Sequence, residues 1–169
     1  WYPTYDPPGF GILPLILGSL VVAIGAMVVA VPISISSAIF ISYVLPPKLR
    51  NVVKPIVELL AGIPSVVYGL FGMKILGPFL SDVFDLPTGL TGLTASIVLG
   101  IMAMPTITSL AEDAIDAVPK TLRDASLALG TTRWETIKKM IVPTASSGIV
   151  TAIILGMGRA IGETMTVLM

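Results

Sequence analysis

The spacing of ionisable side chains constrains this chain more than any other feature. No Asp, Glu, Lys or Arg lies between Asp6 and Lys48, and only Glu58 interrupts the stretch from Lys54 to Lys74. A third gap runs from Asp85 to Glu112, and a fourth from Lys139 to the end, broken only by Arg159 and Glu163. A transmembrane helix needs roughly 20 mostly apolar residues, so these gaps read as membrane spans. Composition agrees: 54% of the 169 residues are hydrophobic, 12% are charged, and the mean hydropathy is +0.96. A soluble domain carries about twice that charge fraction. The fold class expected is all-α, integral to the lipid bilayer.

The residues that are missing narrow the chemistry. Cysteine and histidine are both absent, which removes disulfides, thiolate chemistry, His-based metal sites and the usual general base. No metal, cofactor or catalytic residue is expected. The formal net charge is zero, so no basic field points to nucleic acid. The chain opens on Trp1, with Pro3, Pro7, Pro8 and Gly9 close behind. That is not the basic start and short apolar run of a signal peptide; it is expected of a piece of a longer chain beginning in an exposed loop.

Four spans are expected, at about 12–45, 55–80, 91–110 and 144–169. The first is too long for a straight helix and holds Pro32, which removes a backbone bond and kinks the helix. Ser34, Ser36 and Ser37 follow, hydroxyls that can help re-satisfy freed carbonyls. It ends at Pro46-Pro47, before a loop carrying Lys48, Arg50 and Lys54. The second opens at Pro55, a favourable first helical position, with Glu58 in a first turn where a carboxylate complements the helix dipole. The third carries Pro105 near its end. Short loops rich in Lys and Arg lie inside. The basic segments 46–54 and 112–143 are therefore expected in the cytoplasm, with both ends of the chain outside.

Segment 112–143 reads as two short helices joined at a glycine. Pro119 starts the first, with Leu122, Ala125, Ser126 and Leu129 at helical spacing on a common face. Gly130 sits where a C-terminal cap needs positive φ. Thr132 caps the second helix, and Glu135 three residues later completes a capping box. Pro143 marks the exit into the next span. Such a hairpin is a docking surface, or else an ordinary loop packed on its own spans.

Arg159 and Glu163 fall inside the last apolar run. An arginine at mid-bilayer costs roughly 2.5–3.5 kcal/mol on insertion scales, so it is not expected to face lipid. Four residues apart, the two share a helix face and can pair, though cation before anion is the weaker order. Beside them Gly148, Ala152, Gly156, Ala160 and Thr164 recur every fourth residue, and Gly158 and Gly162 add a GxxxG pair. Small stripes let helix backbones approach closely in membranes. The pair is either a buried bridge that fixes register or a translocation site, where a planar guanidinium suits an oxyanion and Glu163 and Thr164 lie alongside.

A resemblance joins these features. Asp124-Ala125-Ser126, then Gly130, then Val142-Pro143 resembles the EAA loop of ABC importer permeases, Glu-Ala-Ala-x3-Gly-x9-Ile-x-Leu-Pro. It departs at Asp124, Ser126, Met140 and Val142. The run Glu58-Leu59-Leu60-Ala61-Gly62-Ile63-Pro64-Ser65-Val66-Val67-Tyr68-Gly69-Leu70-Phe71-Gly72 is similar to a signature of phosphate importer permeases. So is Gly158-Arg159-Ala160-Ile161-Gly162-Glu163-Thr164-Met165, and both are closer to the PstC type than to the PstA type. The resemblance implies a type I (MetI-like) permease bundle in a prokaryotic plasma membrane. It implies a heterodimer with a PstA-type permease, a pair of cytoplasmic ATPase subunits and an external phosphate-binding protein. It implies that Asp124, Ala125, Ser126, Leu129, Gly130 and Pro143 belong to the coupling loop that meets the ATPase, and that Glu58, Gly62, Pro64, Ser65 and Gly69 are signature positions. A further span on either side of this sequence is implied as well.

Other readings are weaker. A secondary transporter or channel also buries charges near the midplane, but one buried pair makes a poor proton relay and leaves the hairpin unexplained. An intramembrane enzyme lacks a nucleophile–base pair. No Gly-rich loop ends in Gly-Lys-Ser/Thr, so ATP hydrolysis falls to a partner. Permeases for other oxyanions share the EAA loop and are the nearest alternative.

Overall fold

The computed structural model describes residues 12–85 and 87–163, and every regular element among them is helical. Helix α1 (Leu13–Ile39) starts with a proline in its first turn and runs through Pro32 into a π-helical turn, Phe40–Val44. Together they form an apolar helix of 32 residues. The serines after Pro32 do not turn to the Val28 carbonyl that the proline frees. Ser36 donates to the Pro32 carbonyl at 2.7 Å, and Ser34 reaches across to the Met104 carbonyl at 3.1 Å.

Residues 46–54 are not a loop, and the next helix does not open at Pro55. Helix α2 spans Pro47–Ala61, with Pro46 extended before it and Pro47 in the first helical position. Pro47 competes for that position and wins, because its fixed φ suits a first turn. Pro55 then lies inside, and the carbonyl it leaves unbonded belongs to exposed Asn51. Glu58 falls in the last turn of α2 rather than in a first one. There its charge opposes the helix dipole instead of complementing it.

The expected span 55–80 is broken at Gly62-Ile63-Pro64. A proline biases the residue before it away from helical backbone, and Pro64 is itself extended. After this elbow come α3 (Ser65–Phe71), a π-helical turn (Gly72–Leu76) and α4 (Gly77–Phe84), together 20 residues. Asp85 ends α4 in the left-handed region, at φ 52°.

Helix α5 (Gly92–Asp116) is the centre of the bundle, packed by α1, α2, α3 and α9. The Thr91 hydroxyl caps it, accepting from the Thr94 N–H. It runs past residue 110 to Asp116, and Pro105 lies buried in its interior rather than near its end. Ala103, Ile107, Ala111 and Ile115 recur every fourth residue and are fully buried against Ala30, Ala38, Ile141, Ile149 and Ala152. On α1 the matching stripe is Ala26, Ala30, Ser34 and Ala38, all fully buried. A β-carbon added at Gly100 of α5 would stand 3.1 Å from the Ala26 carbonyl, so the two backbones touch.

Beyond α5 lie α6 (Lys120–Ala128), α7 (Arg133–Thr136), a π-helical turn (Ile137–Ile141), α8 (Val142–Thr144) and α9 (Ser146–Gly162). The chain bends by 69° between Arg133–Thr144 and α9. Among the described residues three helices are long and apolar enough to cross a membrane, and a fourth if that bent pair is one span. Residues 164–169 of the expected last span lie outside the described residues.

Candidate functional site

The α6–α7 hairpin is built from local signals. Pro119 precedes α6, and Gly130 takes φ +83°, where L side chains are strained. Nothing crowds Gly130, so its requirement is conformational. At Thr132 the hydroxyl accepts from the Glu135 N–H at 3.3 Å, and the Glu135 carboxylate accepts from the Thr132 N–H at 3.0 Å. The Thr132 amide, then its hydroxyl and Lys139, hold the Glu135 carboxyl below its ordinary value.

Ser126 stands where the EAA pattern has its second Ala. Its hydroxyl lies 2.9 Å from that of Thr131 and 3.2 Å from that of Thr136, and these two are 2.9 Å apart. The three brace the turn around Gly130. Ser126 is buried, while Leu122 and Ala125 are exposed and Leu129 is 86% exposed. Ser126 is turned to the hydroxyl cluster, while Leu122, Ala125 and Leu129 are left exposed on α6. Asp124, Gly130 and Pro143 are exposed too, as is Trp134 on α7. The Arg123 guanidinium sits 5.1 Å from the Tyr43 ring centroid and fastens α6 to the π-helical turn that follows α1.

An ion cluster that the sequence reading missed joins α2 to the end of α5. Arg50 donates from Nε to Glu112 Oε1 at 3.0 Å and bonds Glu112 and Asp116 through its Nη2. Lys54 stands 2.6 Å from both Glu112 Oε2 and Asp113 Oδ1. Glu112 is 1% exposed. Burial pushes the Lys54 ammonium down, but hydrogen bonds to Asp113 and Glu112 outweigh it and raise the pKa above 10.5. This cluster lets α5 continue past residue 110, since its last-turn carboxylates are matched. The signal was a pair of patterns: acids at 112, 113 and 116 and bases at 50 and 54, each on one helical face. An open cleft of about 550 Å³ lies beside it, lined by Ser42, Asn51 and Glu58 among others.

Arg159 marks a second site, near the middle of α5. Its Nη1 donates to Thr106 Oγ1 at 2.7 Å and its Nη2 to the Ala61 carbonyl at 2.9 Å. Among the described residues no ion pair joins Arg159 to Glu163. Helix α9 ends at Gly162 and Glu163 is extended (φ −83°, ψ 109°), so the turn that an i,i+4 pair requires is never completed. Thr164 lies outside the described residues. Elsewhere in the signature, Glu58 is exposed, Gly62 and Pro64 make the elbow, Ser65 opens α3, and Gly69 is buried. The Tyr68 hydroxyl donates to the Leu60 carbonyl across the elbow at 3.1 Å.

The small stripe on α9 divides. Ala152, Gly156 and Ala160 are buried. A β-carbon at Gly148 would lie 2.4 Å from Ala114 Cβ, and one at Gly156 2.3 Å from Ile107 Cγ1, so this edge packs on α5. Gly158 and Gly162 are exposed with nothing near them. They form no close contact here, because they lie on a different side of α9 from the stripe. No group of His, Cys, Asp or Glu among the described residues could hold a metal.

Comparison with known proteins gives these features a common frame. "Probable ABC transporter permease protein YqgH" of Bacillus subtilis is 46% identical over all of this chain and 55% of its own length. "Phosphate transport system permease protein PstC" of Mesorhizobium japonicum is 37% identical over 99% of this chain and 56% of its own length. "PstC 1" of Mycobacterium tuberculosis is 39% identical over 95% of this chain and 53% of its own. The chain thus spans about half the length of the curated relatives it matches. In fold it is similar to the MetNI methionine ABC transporter, with a TM-score of 0.68 and 23% identity over 90% of this chain and 68% of that one. The profile of one family, described as "Binding-protein-dependent transport system inner membrane component", matches residues 30–169, and the chain belongs to that family.

Proposed function

We propose that this chain is the translocating part of a permease in an ATP-driven phosphate importer. The observation that carries this reading is the environment of Arg159. Among the described residues its hydrogen-bond acceptors are a hydroxyl and a carbonyl, both neutral. No carboxylate among them pairs with it, which leaves a charged fork of donors suited to a tetrahedral oxyanion. A buried arginine that served only to fix register would be expected to meet a carboxylate. The names of similar permeases, phosphate transport system permease proteins, support phosphate as that oxyanion.

In this reading Glu163 also belongs to the pathway, and Thr164, outside the described residues, is assigned to it from the sequence alone. Asp124, Ala125, Leu129 and Gly130 face a cytoplasmic ATPase, with Ser126 and Pro143 setting the shape of the hairpin. The polar end that holds the hairpin is then cytoplasmic, and both ends of the chain are external. A PstA-type permease completes the pathway, a pair of ATPase subunits supplies the energy, and an external phosphate-binding protein delivers the substrate.

The test is ATP-dependent phosphate uptake in proteoliposomes. The full-length parent chain is reconstituted with its partner permease, ATPase and binding protein, with Arg159 intact or changed to Gln. Uptake is expected to disappear in Arg159→Gln while the complex still assembles. Uptake of another oxyanion alone would move the assignment to that substrate. Normal uptake by the variant would remove Arg159 from the pathway.

A further inference from the structure

The elbow between α2 and α3 has a missing donor. At the end of α2 the Gly62 N–H bonds the Leu59 carbonyl at 3.0 Å, and the Ile63 N–H bonds the Leu60 carbonyl at 3.3 Å. The next bond in that series would run from residue 64 to the Ala61 carbonyl. Residue 64 is proline and has no N–H. The Arg159 guanidinium fills the vacancy from 98 positions away. Its other arm is set by Thr106 on α5. One side chain thus ties the end of α2 to α5 and α9, at a break where the backbone contains glycine and proline.

From this geometry we infer that Arg159 is a latch across the elbow, kept poised by Thr106, and that an oxyanion opens it by taking the guanidinium from Ala61. The inference rests on the transport reading proposed above. The bond to Ala61 is charged on the arginine side only; an oxyanion adds the attraction of opposite charges and can take the guanidinium bidentately. An arriving oxyanion therefore outcompetes a neutral backbone carbonyl. Once the guanidinium leaves, the Ala61 carbonyl has lost its donor and α2 is released from α9 at that end. Substrate arrival and opening of the elbow become one event. Thr106 is a positioning residue: it aims the arginine without contacting the anion.

These 169 residues contain no cysteine, so once any cysteine elsewhere in the full-length parent and its partners is replaced, a single Ile63→Cys change reports on the elbow. The rate of maleimide labelling is measured in the assembled transporter, with and without inorganic phosphate. Phosphate is expected to raise it roughly tenfold, the order expected for losing one hydrogen bond to a charged group. With Arg159→Gln added, labelling is expected to be fast whether or not phosphate is present. Thr106→Val should raise the rate without phosphate part of the way, and Thr106→Ser should restore the slow rate. If Arg159→Gln does not assemble, Thr106→Val and Thr106→Ser carry the test. Labelling in Arg159→Gln and Thr106→Val as slow as in the parent would overturn the latch whatever the substrate. A parent that responds to sulfate or molybdate but not to phosphate would support the latch and sink only the phosphate assignment. A fast Arg159→Gln variant beside a parent that responds to no oxyanion would overturn release by the anion.

Discussion

Lys54 on α2 and Glu112 on α5 meet at 2.6 Å, 58 positions apart in sequence, and Glu112 is 1% exposed. Among the described residues it is the charged side chain most completely withdrawn from solvent. Removing one partner of a buried pair costs about 3–5 kcal/mol. Glu112→Ala is expected near the low end, about 3 kcal/mol, because Asp113 and Asp116 remain to hold the cations. Asp113→Asn, at a carboxylate 58% exposed, is expected to cost less than about 1 kcal/mol. Thermal unfolding of the detergent-solubilised complex checks both; equal losses would mean that burial of Glu112 does not set the strength of the cluster.

The same cluster has a pH signature. The Lys54 pKa is raised above its ordinary 10.5: burial lowers it, and the bonds to Asp113 and Glu112 more than offset that. A folded value above the unfolded one gives a contribution that is whole below the unfolded pKa and lost as pH climbs through the folded one. The Tm of the complex is therefore expected to be insensitive to Lys54 below about pH 10 and to fall above it. Lys54→Arg should flatten that fall, because a guanidinium keeps its proton there. Identical curves for the two proteins would show that Lys54 contributes nothing to the decline.

Packing of α9 on α5 predicts a contrast between two glycines. Gly148→Val places a side chain where even a β-carbon lies 2.4 Å from Ala114 Cβ. It is expected to cost about 1–3 kcal/mol as overpacking. Gly158→Ala meets open space and is expected to leave stability unchanged or raise it by up to about 1 kcal/mol through helix propensity. Both are read from the yield and melting temperature of the purified complex. A destabilised Gly158→Ala would point to a partner helix packed there.

The hairpin prediction concerns Gly130, whose φ is +83° with empty space around it. Gly130→Leu is expected to cost about 1–2 kcal/mol from backbone conformation alone, and Gly130→Asn less, since Asn tolerates that region. Under the proposed docking role, Gly130→Leu uncouples ATP hydrolysis from uptake and Gly130→Asn largely preserves coupling. Paired measurements of ATPase rate and phosphate uptake decide it; tightly coupled Gly130→Leu would remove the hairpin from transmission.

What could be read from the sequence was mainly local. The hairpin, the Gly130 cap and the Thr132–Glu135 box depend on residues within a few positions of one another, and all are present. The long apolar runs likewise mark the helices able to cross a membrane. Misreadings came where two local signals competed or where the partner was distant. Pro47 and Pro55 both suit a helix start, and only the fold selects Pro47. Arg159 was matched to Glu163 by spacing, yet its partners lie 53 and 98 positions away. The Ala26, Ala30, Ser34 and Ala38 stripe was visible in principle, but it lies in a run so apolar that polarity marks no face.

That stripe has a mechanical consequence. On the α1 side of its contact with α5 the fully buried residues are three alanines and a serine, and at Gly100 the two backbones touch. Alanine has no rotamers to redistribute, and the larger α5 side chains that meet this stripe are held in a close-packed interior, so the seam resists sliding of one helix past the other. The pair is fixed like the post of a gate. Relative movement is left to the jointed parts hung on it, at the Gly62–Pro64 elbow and the 69° bend before α9.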